Sequence, residues 1–220
     1  MTASGPRAVL WDMDGTLLDS AQYHWLAWRE ALAREGFALT PELFKATFGQ
    51  RNDTILRTYF GPGYPLDEVD RVGSFKETRY RERVRARGVD AQPGVRRWLG
   101  RLKEEGWRQA VASAAPRLNI DTILDVLGIN GFFDAIVSGE EVALGKPDPQ
   151  VYLTAAARVG APPASCIVVE DAPAGIEGAH RAGMRAIGVR TTHDTLAADV
   201  TVRTLDELPD DAFDKLLLYP

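Results

Sequence analysis

Only one cysteine occurs among the 220 residues, so the chain forms no intramolecular disulfide. Cys166 precedes the run Ile167-Val168-Val169, the setting of a small buried apolar residue rather than of a reactive thiol. Long apolar runs are missing too. No stretch approaches the roughly 18 residues that a membrane span needs, and the N-terminus lacks the apolar block of a signal peptide. A cytoplasmic protein is the expectation. Positive charge is in deficit, with 26 Lys and Arg against 31 Asp and Glu, and the net charge of −5 excludes a general attraction to nucleic acid or to an anionic membrane surface. The local exception, Arg79, Arg81, Arg83, Arg85 and Arg87, is interrupted by Glu77 and Glu82 in a helical pattern and reads as a solvated helix face. Internal repeats and low-complexity tracts are absent.

What is present is a 45% hydrophobic chain, long enough to bury a sizeable core. Short β-branched runs at 7–11, 109–113, 134–138, 166–170 and 185–189 predict strands, and helical patterns at 94–105, 116–127, 149–159 and 173–182 alternate with them. That alternation predicts an α/β fold, a doubly wound parallel sheet with helices on both faces. Ligands of such sheets bind at the carboxyl ends of the strands. Residues 21–90 differ in character, with helix after helix and no convincing strand. Ala21, Trp25, Trp28 and Leu32 form a helical stripe closed by Gly36, Thr40-Pro41 reads as the cap and first turn of a second helix, Asn52 as the cap of a third ending near Gly61, and 66–87 as a long fourth. On the inward stripe of that fourth helix (Val69, Val72, Tyr80, Val84), Lys76 is the polar intruder. A buried lysine is expensive unless paired, so it is expected to aim into a cleft.

The most informative stretch is Val9-Leu-Trp-Asp-Met-Asp-Gly-Thr-Leu-Leu-Asp-Ser20, an apolar strand running out into Asp12 and Asp14. Side chains two apart share a strand face, and two crowded carboxylates repel unless a proton or a hard cation intervenes. An acidic turn would account for this stretch alone. Three further pieces go beyond it: Val111-Ala112-Ser113 ends a second apolar run in a hydroxyl, Gly145-Lys146-Pro147-Asp148-Pro149 sets one lysine in a rigid loop, and Ile167-Val168-Val169-Glu170-Asp171 ends another run in two acids.

In this order the four pieces resemble the motifs of the haloacid dehalogenase-like superfamily, over nearly the whole chain. The resemblance implies a Rossmann-like core formed by 1–20 and 91–220 and an all-helical cap inserted at 21–90. It also implies a phosphoric monoester hydrolase, with Asp12 as the nucleophile that becomes an aspartyl-phosphate and Asp14 as general acid and base. Asp14 needs a raised pKa for the acid role, and the neighbouring Asp12 and partial burial are expected to supply it. Ser113 and Lys146 would hold and neutralise the phosphoryl group. Magnesium would be bound by Asp12, Asp171 and the main-chain carbonyl of Asp14, with Glu170 as an occasional further ligand. Many relatives have Asn after the motif serine, whereas Ala114 stands here and leaves its amide as the donor. His24, Arg51 and Lys76 resemble, at comparable offsets, cap and hinge residues of the β-phosphoglucomutase subgroup and its phosphatase relatives, where they would meet substrate. The implied partner is a small phosphorylated metabolite, a sugar or polyol phosphate, with the chain a monomer or weak homodimer.

Hydrolysis is preferred because the Gly145–Pro149 and Glu170–Ile176 stretches look like those of sugar-phosphate phosphatases. A phosphomutase that passes the aspartyl-phosphate to a second sugar hydroxyl is the alternative. Dehalogenation would leave Asp14 and Asp171 unexplained. A silent protein that kept only the fold should have lost at least one of Asp12, Asp14, Lys146 or Asp171, and all are present.

Overall fold

Six parallel strands, β1 (Ala8–Trp11), β2 (Arg108–Ala112), β3 (Ala135–Val137), β4 (Cys166–Glu170), β5 (Arg185–Val189) and β6 (Val200–Val202), form one sheet in the order β3-β2-β1-β4-β5-β6 in the computed structural model, which describes residues 5–218. The chain winds outward from β1 to β3 on one side and from β4 to β6 on the other. The winding direction therefore switches between β1 and β4, where a crevice opens beyond the strand ends. Registry places Trp11 beside Val169 and Val111, so Asp12, Glu170 and Ser113 emerge from three adjacent strands at one edge.

Period-two alternation sorts the strand side chains into two apolar layers. Val9, Trp11, Val111 and Ile167 pack with Trp98 of α5 (Val95–Glu104), Ile120 and Ile123 of α6 (Arg117–Leu127) and Phe213 of α9 (Ala212–Leu218). Leu10, Ala110 and Val168 pack on the other face with Tyr152 of α7 (Gln150–Arg158) and Ile176 of α8 (Pro173–Arg181). The predicted strands and core helices all occur. The sequence reading omits β6 and α9, elements of 3 and 7 residues that are too short to show a period.

Between β1 and α5 the chain builds α1 (Ala21–Arg34), α2 (Pro41–Thr47), α3 (Asn52–Phe60) and α4 (Leu66–Arg87), whose apolar faces form a third cluster around Trp28, Leu32, Leu56 and Val72. The two connections to the sheet are bonded to one another: Leu18 bridges Ala91, and Gln92 N–H donates to Leu17 O at 2.9 Å.

Several local expectations need correction. The buried face of α1 is His24, Ala27, Trp28, Ala31 and Leu32, because Ala21 and Trp25 lie at its half-buried margin. Thr40 accepts from Leu43 N–H as expected of a cap. Asn52, by contrast, is the first residue of α3, and its side chain donates to Glu77 instead of capping. Asp148 accepts from Gln150 N–H at 3.0 Å, so the start of α7 falls one residue later than predicted. The arginines of α4 are not simply solvated. Arg79 and Arg83 pair with Glu30, Arg81 and Arg85 reach Asn119 and Thr122 on α6, and Glu77 is buried.

Candidate active site

β1 sits at the centre of the sheet, so its last side chain enters the most enclosed part of the crevice. Asp12 is 7% exposed, its N–H extends the ladder to Val169 O, and its Oδ1 lies 2.5 Å from Lys146 Nζ. Lys146 also donates to Glu170 Oε1 at 2.7 Å. Despite the opposing effect of burial, the negative charges of Asp12 and Glu170 hold the Lys146 ammonium well above the ordinary lysine range, so it remains a cation.

Glu170 is fully engaged. Its Oε2 accepts from the N–H groups of Asp171 and Ala172 at 2.7 Å each, and its Oε1 from Lys146 and from the Tyr152 hydroxyl at 3.2 Å. At 1% exposure it is not the exposed acid that a strand end suggests, and all four of its lone-pair directions are used. Two glycines make room for the acids. A Cβ on Gly175 would stand 1.9 Å from Glu170 Oε1, and one on Gly15 would stand 2.1 Å from Asp171 Oδ2. Gly15 also has φ of +90°, which a side chain disfavours independently.

Oxygens of Asp12, Glu170 and Asp171 lie within 4.8 Å of one another, all on buried residues. Burial lifts the Asp12 carboxyl well above the usual range; Lys146 opposes that shift, and Glu170 and Asp171 add to it. Asp171 is pushed up to about 8 by burial and then by the charge of Glu170, against the hydrogen bond from Thr192. Three buried acids thus face one lysine, and the surplus of hard oxygen donors fits a divalent cation. Asp12 Oδ2 has no partner among the described residues, whereas Glu170 is saturated. Asp12 and Asp171 could offer oxygens to such an ion, with Glu170 beside them in the same cluster, where it also orients Lys146 and the loop that carries Asp171.

Asp14 turns away from this cluster. Its Oδ1 accepts from Ser20 Oγ and lies 3.1 Å from His24 Nε2. Burial raises its pKa, but His24, Ser20 and Lys76 together outweigh that and leave the carboxyl below the usual range. This reverses the expectation of a raised value. The expectation counted Asp12 as the dominant neighbour, whereas folding brings a histidine and a lysine from α1 and α4. Unliganded, Asp14 is a carboxylate, ready to accept a proton.

Ser113 is 1% exposed and accepts from Ala115 N–H at 3.1 Å, which leaves its own proton to donate. Ala114 lines the same cleft, and its N–H has no partner among the described residues. The cleft encloses about 990 Å³ between the sheet edge and α1–α4, and every side chain singled out from the sequence borders it. On the helical side each of the three has a protein partner. His24 meets Asp14 and stacks on Tyr80 with ring centroids 4.1 Å apart, Lys76 lies 2.8 Å from Glu77 Oε1, and Arg51 donates to Val142 O at 3.1 Å and lies 3.4 Å from Asp53. Glu77, Asn119, Ser20, Tyr152 and Thr192 escaped the sequence reading. None of them carried a signal in the sequence, Glu77 included, which stands among arginines and is buried only because α4 packs on α6.

A family model described as haloacid dehalogenase-like hydrolase matches residues 6–183. The chain is 34% identical over 208 residues to the β-phosphoglucomutase of Bacillus subtilis (strain 168), covering 92% of this chain and 91% of that protein. It is 31% identical to a fructose-1-phosphate phosphatase of Escherichia coli (strain K12), over 83% of this chain and 95% of the relative. Among solved structures, a β-phosphoglucomutase from Clostridium difficile superposes with a TM-score of 0.87 at 25% identity, over 97% of each chain.

Proposed function

The chain belongs to the haloacid dehalogenase-like hydrolase family, and on that premise we propose that it hydrolyses a small phosphorylated metabolite, a sugar or polyol phosphate, through an aspartyl-phosphate. The observation that carries the reading is the meeting of Asp12, Asp171 and Ser113 at three adjacent strand ends with Lys146 against Asp12, and Asp14 two residues further on in the same cleft. A carboxylate oxygen of Asp12 attacks phosphorus as the bond to the alkyl oxygen breaks. Asp14 takes up a proton from solvent as the phosphate dianion approaches and gives it to the departing oxygen; as a carboxylate it then takes a proton from the water that attacks phosphorus, which breaks the bond to Asp12, restores the Asp12 carboxylate and releases inorganic phosphate. Lys146, the Ser113 hydroxyl and the Ala114 amide neutralise and orient the phosphoryl oxygens throughout.

Asp12, Asp171 and the Asp14 carbonyl would hold magnesium, which would supply positive charge for phosphoryl transfer and let the crowded carboxylates stay ionised. Residues 21–90 act as a cap over the core of 1–20 and 91–220, and the paired connections at Leu17–Leu18 and Ala91–Gln92 serve as the hinge. His24, Arg51 and Lys76 face the organic part of the substrate. Among the described residues no helix is long and apolar enough to cross a membrane, and we take the protein as a cytoplasmic monomer or weak homodimer.

The 34% identity to a β-phosphoglucomutase favours a second reading in which a sugar hydroxyl, rather than water, takes the phosphoryl group. A phosphate-release screen over phosphorylated sugars and polyols tests hydrolysis directly. Phosphorus NMR with β-glucose 1-phosphate separates the two: inorganic phosphate is the expected product, and rapid formation of glucose 6-phosphate with little free phosphate would replace the phosphatase by the mutase.

A further inference from the structure

The roof of the cleft holds a buried polar cluster that the reaction itself does not use. Glu77, 5% exposed, accepts from Lys76 Nζ at 2.8 Å and from Asn52 Nδ2 at 2.8 Å through one oxygen, and from Asn119 Nδ2 on α6 through the other. The Lys76 charge therefore has an anion against it, besides the faces of Trp28 and Tyr80 at 5.1 and 5.5 Å. The same holds for the neighbouring cations. His24 has Asp14, and Arg51 has Asp53 together with two main-chain carbonyls of the core. Arg81 has no acid partner among the described residues, but its guanidinium is already spent on Asn119 Oδ1 and Thr78 Oγ1, and Lys45 is exposed at the rim. Around the whole cleft, eight Asp and Glu side chains face five Lys and Arg. Near Asp12 one phosphate finds Lys146, but among the described residues of the roof a second one finds no uncompensated buried cation.

Resting on the phosphatase reading above, we propose that Glu77 is a specificity-determining residue: by neutralising Lys76 it makes the roof a neutral, hydrogen-bonding surface that accepts the hydroxyls of a monophosphorylated sugar or polyol and rejects a second anionic group. Hydroxyls both donate and accept, and so can join the Lys76–Glu77–Asn52 cluster without leaving a buried charge unpaired. A second phosphate meets Glu77 directly, and like charges juxtaposed in a desolvated site are strongly disfavoured. The same selection opposes the mutase reaction, because passing the phosphoryl group from Asp12 to a second sugar hydroxyl of a sugar monophosphate creates a bisphosphate inside the cleft.

The test compares fructose 1-phosphate with fructose 1,6-bisphosphate, which differ by one phosphate, in phosphate-release assays of the full chain with magnesium. The expected kcat/KM favours the monophosphate by about tenfold or more, and Glu77→Gln, which removes the charge and keeps the shape, should shrink that ratio by about tenfold, through KM for the bisphosphate. A second measurement needs no variant. Raising salt from about 0.05 to about 0.5 M should improve the wild-type bisphosphate reaction relative to the monophosphate one, since repulsion is what salt screens. Equal kcat/KM for the two compounds, or a bisphosphate reaction that weakens more steeply with salt, would overturn the charge selection and leave the phosphatase reading standing. Failure to hydrolyse any sugar or polyol phosphate would remove the phosphatase reading, and this inference with it.

Discussion

Gly175→Ala separates two physical expectations of opposite sign. Gly175 lies in the first turn of α8, where helix propensity alone makes alanine the better residue by about 0.5–1 kcal/mol. The structure predicts the reverse, because the added Cβ would sit 1.9 Å from Oε1 and 2.1 Å from Cδ of Glu170. Glu170 has no room to yield, being 1% exposed and bound through both oxygens. Overpacking of this kind costs about 1–3 kcal/mol, and each charge-assisted hydrogen bond lost adds about 1.5–3 kcal/mol. Allowing for the propensity gain and the loss of one such bond, the net destabilisation is about 1.5–5.5 kcal/mol. At about 2–4 °C per kcal/mol for a chain of this size, Tm should fall by roughly 3–22 °C. Thermal unfolding of the metal-free protein followed by circular dichroism measures this, and kcat should drop in parallel because Lys146 loses one of its two anchors. A Tm at or above that of the wild type would refute the packing argument and show that the Glu170 cradle is looser than the distances state.

Asp12→Asn should keep the fold, by circular dichroism, and abolish phosphate release, since an amide is a poor nucleophile; near wild-type turnover would end the aspartyl-phosphate mechanism. Chelation should eliminate activity, with magnesium restoring it and calcium, whose coordination is larger and looser, failing to do so. Metal affinity should follow pH. The Asp171 carboxyl, pushed up to about 8, carries a proton at neutrality that the ion must displace, so affinity measured by calorimetry should rise about tenfold per unit up to about pH 8 and then level off. A pH-independent affinity between about 6 and 8 would contradict the raised value. Lys76→Ala should lower kcat/KM for the true substrate by about tenfold to a thousandfold, roughly 1.4–4 kcal/mol. It should also cost about 3–5 kcal/mol of stability, contrary to what an unpaired inward lysine would imply, because Glu77 is left buried without its cation; an unchanged Tm would place Glu77 in water.

Hydrophobic period and strand-end chemistry are local properties, and both were legible in the sequence. Five of the six strands, the four long helices between and after them, and the order Asp12, Ser113, Lys146, Asp171 follow from residues near one another in the chain. The bounds of α4 were legible to the residue, its apolar stripe beginning one turn in at Val69 and Gly88 closing it with a positive φ. What stayed hidden depends on contacts between segments far apart in sequence. Asp14 has a lowered pKa because α1 and α4 bring His24 and Lys76 beside it, and no spacing within 9–20 foretells that. Glu170 looks like a free acid at a strand end until Lys146, Tyr152 and the turn after β4 close around it. Glu77 reads as a surface charge among arginines until α4 packs on α6 and sets it against Asn119. The sequence by itself determined which elements form and which acids reach the strand ends, because periodicity and register act over a few residues. Tertiary structure alone decided the charge each acid carries and which cations remain free, because electrostatic free energy depends on burial and on neighbours that only the folded chain brings within a few ångströms.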